Sequence, residues 1–231
     1  MTQSDLEADG RSSAPLPSIA VPELTPTRTA LLVVDMTKGQ AHPDYGLGAL
    51  ARAKGLEDSL RGYYERVREL VSNILRLREV VRASGGEVIY IRTATQTREF
   101  NELGDSLRAA GHCLGICSVH SAEAEFLDEL QPSEREIVID KFSISPFNSC
   151  PLDQILRNLE TEAVIITGVR TDEAVELTAH GAADRGYWVV LVSDACTGVT
   201  SELHQSGLRV SNVLMKVKST NEVLGMFLEN E

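Results

Sequence analysis

Strands that alternate with helices along most of the chain predict an α/β fold: a doubly wound, six-stranded parallel sheet flanked by helices on both faces. Three observations carry this prediction. Ala30-Leu-Leu-Val-Val34 is a continuous apolar run, as a parallel strand buried on both faces requires. Val67, Leu70, Val71, Ile74, Leu75, Leu77 and Val81 recur at helical spacing until Gly85-Gly86 ends the pattern. Ala163-Val-Ile-Ile-Thr167 then repeats the strand pattern and runs into a glycine-containing turn and another helix.

The elements follow in order. Residues 1–27, rich in Ser, Pro, Ala and Thr and without periodicity, read as a flexible N-terminal arm, and 28–231 as a single domain. The first strand ends at Asp35; residues 37–60 read as a glycine-containing loop with a short helix, and Tyr63 to Ser84 as a long one. Glu87 to Thr93 is the second strand. The polar, irregular stretch 94–121 is long for a plain connection and is expected to be functional or lid-like. A short helix over 122–130 leads to a third strand, Glu136 to Asp140, which ends at Lys141. A helix over Pro151 to Leu159, the fourth strand (Ala163 to Thr167) and a helix over Thr171 to Arg185 come next. Tyr187 to Ser193, a helix over 201–211, a sixth strand at Val213 to Val217 and a helix from Asn221 to Leu228 complete the chain.

Composition narrows the function classes. The 231 residues carry a net charge of −12 with no basic stripe, which argues against nucleic acid and against an anionic membrane surface as partners. No run approaches the roughly 20 apolar residues of a membrane span, and no apolar signal region opens the chain, so a cytoplasmic protein is expected. The four cysteines form no disulfide framework for a chain this long. Cys113 and Cys117 with His112 and His120 match no familiar zinc spacing, and Gly111 and Gly115 interrupt the helix that would align them. No metal and no cofactor are expected.

In an open α/β sheet, ligands bind beyond the carboxyl ends of the strands. Asp35, Lys141 and the turn Gly168–Ala174 all fall at such ends. A carboxylate and an ammonium beside a helix N-terminus suit acid–base work around a nucleophile, because the free N–H groups there lower a thiol's pKa and cradle an oxyanion. The residue where that nucleophile would stand is Ala174, which has no reactive atom.

These motifs carry a resemblance. Leu31-Leu-Val-Val-Asp-Met36, Val138-Ile-Asp-Lys141 with Ser145-Pro-Phe147, and Thr167-Gly-Val-Arg-Thr-Asp-Glu-Ala-Val-Glu176 resemble the isochorismatase-like cysteine hydrolases. So does Ala182 to Cys196, and the likeness spans about 28–225. It implies an Asp–Lys–Cys triad with Asp35 as general base, Lys141 steadying it, and Ala174 in the position of the thiol. It further implies an oxyanion hole from the backbone N–H groups of Arg170 and Ala174, beside a cis peptide between Val169 and Arg170. The expected activity is hydrolysis of a C–N bond in a small amide, ureido or carbamoyl compound, the last two on a weaker likeness in 43–48, Tyr63-Tyr64 and 95–98. The family's dimers and tetramers imply a homo-oligomer.

The chain departs from the family pattern at Thr37, where Gln is common, and at Gln40, where an aromatic is common; the Asp-x-His metal motif of the nicotinamidase branch is absent. Arg92, Gln40, Phe142, Arg170 and Glu173 are the candidate substrate contacts, with the arginines suited to a carboxylate or a carbonyl-rich compound. Three readings of Ala174 stand: an inactivating replacement of the cysteine, a natural thiol-free isochorismatase with Asp35 protonating a vinyl ether, or a catalytically dead binding protein.

Overall fold

The computed structural model describes residues 23–110, 117–212 and 215–228. A 3-10 turn at Pro26–Arg28 leads into β1 (Thr29–Val34). Two short helices, α1 (Lys38–Ala41) and α2 (Gly46–Ala53), precede the long α3 (Arg61–Ala83). Then come β2 (Glu87–Thr95), α4 (Asp105–Ala110), β3 (Cys117–Ser118), β4 (Ile137–Lys141), α5 (Leu152–Asn158) and β5 (Ala163–Val169). A π-type turn at Thr171–Val175 runs into α6 (Glu176–Ala183), followed by β6 (Trp188–Thr197), α7 (Ser201–Ser211), β7 (Lys216–Lys218) and α8 (Thr220–Leu228).

All sheet pairings are parallel. The chain lays β2 and then β4 on one side of β1, and crosses over to lay β5, β6 and β7 on the other. The strand order therefore reverses between β1 and β5, which places a crevice beyond their carboxyl ends. Among the described residues the sheet has seven strands, one more than the pattern predicted. The addition, β3, is only two residues long and pairs with Ala94 and Thr95 after β4 has ended opposite Thr93.

Every residue of β1 is buried, and its side chains alternate between two apolar layers. Leu31 and Val33 pack in the layer with α3, whose buried stripe includes Val67, Leu70, Ile74 and Leu77, and with Val223 and Phe227 of α8. Ala30, Leu32 and Val34 pack in the layer with Leu152 and Leu156 of α5, Ala179 and Ala182 of α6, and Leu208 of α7. Leu24, within the expected arm, is also buried in the first layer, whereas residues 1–22 lie outside the described residues.

The helix expected over 122–130 is instead two 3-10 turns, Ala122–Ala124 and Asp128–Leu130. Its backbone is drawn off to pair with the segment after β1: Lys38 donates to the Glu125 carbonyl at 2.8 Å and Leu127 to that of Met36 at 3.0 Å. The expected sixth strand at 213–217 is found as Lys216–Lys218, with residues 213 and 214 outside the described ones.

Candidate active site

Asp35 leaves β1 with a φ of 53°, a left-handed conformation that turns its carboxylate toward the neighbouring strand end. Its own N–H stays in the ladder, donating to the Ile91 carbonyl at 2.8 Å. Thr93, at the same level of β2, donates to the carboxylate from its backbone N–H at 2.7 Å and from its hydroxyl at 3.0 Å. Lys141, the register partner of Thr93 on β4, completes the group with Nζ 2.9 Å from Asp35 Oδ2. The ammonium also donates to the Thr93 hydroxyl and, at 3.3 Å, to the Ser143 carbonyl. Asp35 is 3% exposed and Lys141 1%, so this ion pair is removed from bulk water, with partners around both ions.

The third member arrives from β5. At its end Gly168 has a φ of 116°, and a Cβ there would lie 2.0 Å from the Val34 carbonyl oxygen, so only glycine lets β5 approach β1 this closely. The Val169–Arg170 peptide is cis, as the sequence likeness implied. Thr171–Val175 then forms the π-type turn that opens α6. The turn is braced from behind by α7: Gly207 sits against the Thr171 carbonyl, and His204 Nδ1 lies 2.8 Å from the Thr171 hydroxyl.

Asp35, Thr93, Lys141 and Ala174 line one crevice, whose narrow inner part measures about 30 Å³. Gln40 of α1, Arg170 and Glu173 line it too, with Leu107 of α4, Ile144 and Val169 as apolar boundary. The Arg170 guanidinium donates to Gln40 Oε1 at 3.1 Å and forms an ion pair with Glu173. Burial is the largest single influence and opposes the Arg170 charge, but the Glu173 carboxylate beside it, Tyr63 and Asp35 together raise the guanidinium's pKa above its ordinary value. Gln40 is held in turn through its backbone carbonyl, which accepts from the Tyr63 hydroxyl at 3.0 Å.

Six of the eight predicted site residues therefore meet: Asp35, Lys141, Ala174, Gln40, Arg170 and Glu173. Arg92 and Phe142 do not line the cavity. Arg92 is the register partner of Asp140, one residue before the Thr93–Lys141 level, so strand alternation puts it on the other face. There it pairs with Asp140 at 2.6 Å and lies over the Phe126 ring. Phe142 is fixed by its N–H, which donates to Ser149 Oγ at 2.9 Å. Sequence reasoning missed Thr93, as it did Ser143, Leu107, Ile144 and Val169 of the same lining. Thr93 alone of these carried a signal: it is the last residue of the second strand as predicted, beside Asp35 and Lys141 at the ends of the first and third.

The described cysteines are not placed for nucleophilic work at this site. Burial pushes the Cys117 thiol up to about 12, and pushes those of Cys196 and Cys150 upward as well. His112 and Cys113 lie outside the described residues, and among the described ones no group of three or more His, Cys, Asp or Glu is arranged to hold a metal ion. No described helix is long and apolar enough to cross a membrane.

Comparison with known proteins agrees with this fold. The isochorismatase domain family matches residues 29–222. A ureidoacrylate amidohydrolase, RutB of Acinetobacter baylyi, is 25% identical over 225 residues, covering 90% of this chain and 87% of the relative. The crystal structure of a cysteine hydrolase from Pseudomonas syringae pv. phaseolicola superposes with a TM-score of 0.78 at 24% identity, covering 93% of this chain and 99% of that one. N-carbamoylsarcosine amidase from Thermoplasma acidophilum gives a TM-score of 0.63 at 25% identity, covering 84% and 97%. The chain, with its parallel sheet and its crevice between β1 and β5, belongs to the isochorismatase family of hydrolases.

Proposed function

We propose that this fold is built for cysteine-type amidohydrolysis of a small amide, ureido or carbamoyl compound, with position 174 the seat of the nucleophile and Ala174 standing in it here. The observation that carries the reading is the buried Asp35–Lys141 ion pair lining the same cavity as Ala174, which lies in the turn that opens α6. The ureidoacrylate amidohydrolase and the carbamoylsarcosine amidase among its relatives support the same bond type.

A thiol on residue 174 would give its proton to the Asp35 carboxylate and attack the carbonyl carbon as thiolate. The oxyanion that forms is held by the backbone N–H groups of Arg170 and residue 174. As the C–N bond breaks, Asp35 passes its proton to the leaving nitrogen, and a thioester remains. Water, deprotonated by the same carboxylate, then releases the acid and restores the thiol. Lys141 and Thr93 keep the carboxylate in one orientation throughout. With Ala174 the attacking atom is absent, so the chain binds its substrate without turning it over.

The test is Ala174→Cys, assayed for ammonia or amine release from simple amides and ureas beside the chain as given. Hydrolysis by the cysteine form alone, abolished again by Asp35→Asn, is the expected result. Cleavage of isochorismate by the Ala174 chain, with no amide cleaved by the cysteine form, would replace this reading with thiol-free vinyl-ether hydrolysis.

A further inference from the structure

We propose that Glu173 selects for uncharged substrates by occupying the Arg170 guanidinium; the inference rests on the amidohydrolase reading above and names its substrate class. A buried arginine in a small cavity ordinarily marks a carboxylate site, because its planar fork matches the two oxygens. Here that fork is already taken. One arm of Arg170 meets Glu173 and the other donates to Gln40 Oε1, and the residue is only 6% exposed.

The remaining cation is equally committed. Lys141 faces Asp35, the Thr93 hydroxyl and the Ser143 carbonyl, and is 1% exposed. Among the described residues the cavity thus holds two cations and two anions, paired one to one. A substrate carboxylate entering it meets Asp35 and Glu173 with no unmatched positive charge to offset them. Breaking the Arg170–Glu173 pair to free a cation would leave a carboxylate uncompensated beside a second one, which is unfavourable in a site with little water. An uncharged amide or ureide has no such conflict. Its N–H groups are donors, and Glu173, whose side chain is 35% exposed, retains acceptor capacity after one oxygen has bonded to Arg170.

This separates the chain from its ureidoacrylate-hydrolysing relative, whose substrate bears a carboxylate by name.

The experiment uses two probes of similar length, N-propylurea and N-carbamoyl-β-alanine, which differ by a terminal methyl against a carboxylate. Binding to the Ala174 chain is measured by calorimetry at pH 7, and kcat/KM is measured in the Ala174→Cys form. The neutral probe is expected to be favoured in both. Glu173→Gln keeps a hydrogen-bond acceptor toward Arg170 but frees its charge, and should shift the ratio toward the anionic probe by about tenfold to a hundredfold, mainly in KM and less so at high salt. Adding Arg170→Gln to that variant should cancel the shift. A preference for the anionic probe in the parent, or a ratio unmoved by Glu173→Gln in a variant that melts as a folded protein, would overturn the proposal. If the cysteine form hydrolyses neither probe, the amidohydrolase reading is what fails, while the calorimetric ratio still decides the charge selection.

Discussion

Lys141→Met should be among the most destabilising single changes available at the site. The ammonium is 1% exposed and the Asp35 side chain 5%, and the substitution leaves that carboxylate buried with only the Thr93 N–H and hydroxyl for company. Removing one partner of a buried pair typically costs about 3–5 kcal/mol, because the other charge is then uncompensated. That is a large share of the roughly 5–15 kcal/mol that holds a domain together. At about 2–4 °C per kcal/mol for a domain of this size, the melting temperature should fall by about 6–20 °C. The assay is urea unfolding followed by circular dichroism, with the midpoint expected to drop at constant slope. Asp35→Asn/Lys141→Met removes both charges and should recover at least half of the loss. A single-variant loss below about 1 kcal/mol, the range of exposed pairs, would refute the reasoning, as would losses that simply add in the double variant.

Three further outcomes follow from other parts of the structure. Gly168→Ala places a methyl 2.0 Å from the Val34 carbonyl oxygen on a residue with φ of 116°, and should cost about 4 kcal/mol or more, read as loss of soluble protein or a collapsed unfolding midpoint. Cys117 and Cys196 are buried with raised thiol pKa values, so an aromatic disulfide reagent should reach them only on unfolding; rapid labelling of either in the native state, located by peptide mass, would contradict that placement. Burial, reinforced by the Arg66 cation, lowers the pKa of His204, so below about pH 6.5 the unfolded chain binds a proton that the native one resists. Stability from this residue is therefore complete above that pH and is lost as pH falls through the depressed native value. His204→Gln should flatten the dependence of the urea midpoint between pH 7.5 and 5, and an unchanged slope would count against it.

The layered architecture was legible because burial on both faces leaves a plain mark: β1 and β5 are uninterrupted apolar runs, and α3 carries its stripe at every turn. Asp35 and Lys141 were legible for a related reason, since each closes a strand whose carboxyl end borders the crevice, whereas Ala174, in the turn after β5, was picked out by the family likeness. What failed to show was decided by partners far apart in sequence. β3 is two residues in a polar stretch and exists only because the end of β2 outlasts β4. The segment 122–130 has helical composition, yet its backbone pairs with residues 36–38 and its side chains Phe126, Leu127 and Leu130 fill the core from turns. Arg92 looked like a site residue for ending near a strand terminus, and a shift of one position in the pleat, visible only once β4 was placed beside β2, sends it to the opposite side. The Arg170–Glu173 pair was foreseen as two separate contacts; that they neutralise one another is a property of the turn.

The cavity's boundary is built from materials of unequal firmness, and this shapes how such a protein can change over generations. Asp35 and the Ala174 turn hang from β1 and β5, adjacent strands in the interior of the sheet, where every residue is buried. Leu107, which closes the same cavity, sits on the six-residue α4 in a stretch where Leu103 is a buried anchor and most neighbours face solvent. A substitution at the first kind of position is felt by the whole fold, whereas one at the second alters what fits while leaving the sheet undisturbed. The repertoire of compounds admitted can therefore drift by substitution at Leu107, at little cost to the sheet, under an apparatus that stays fixed.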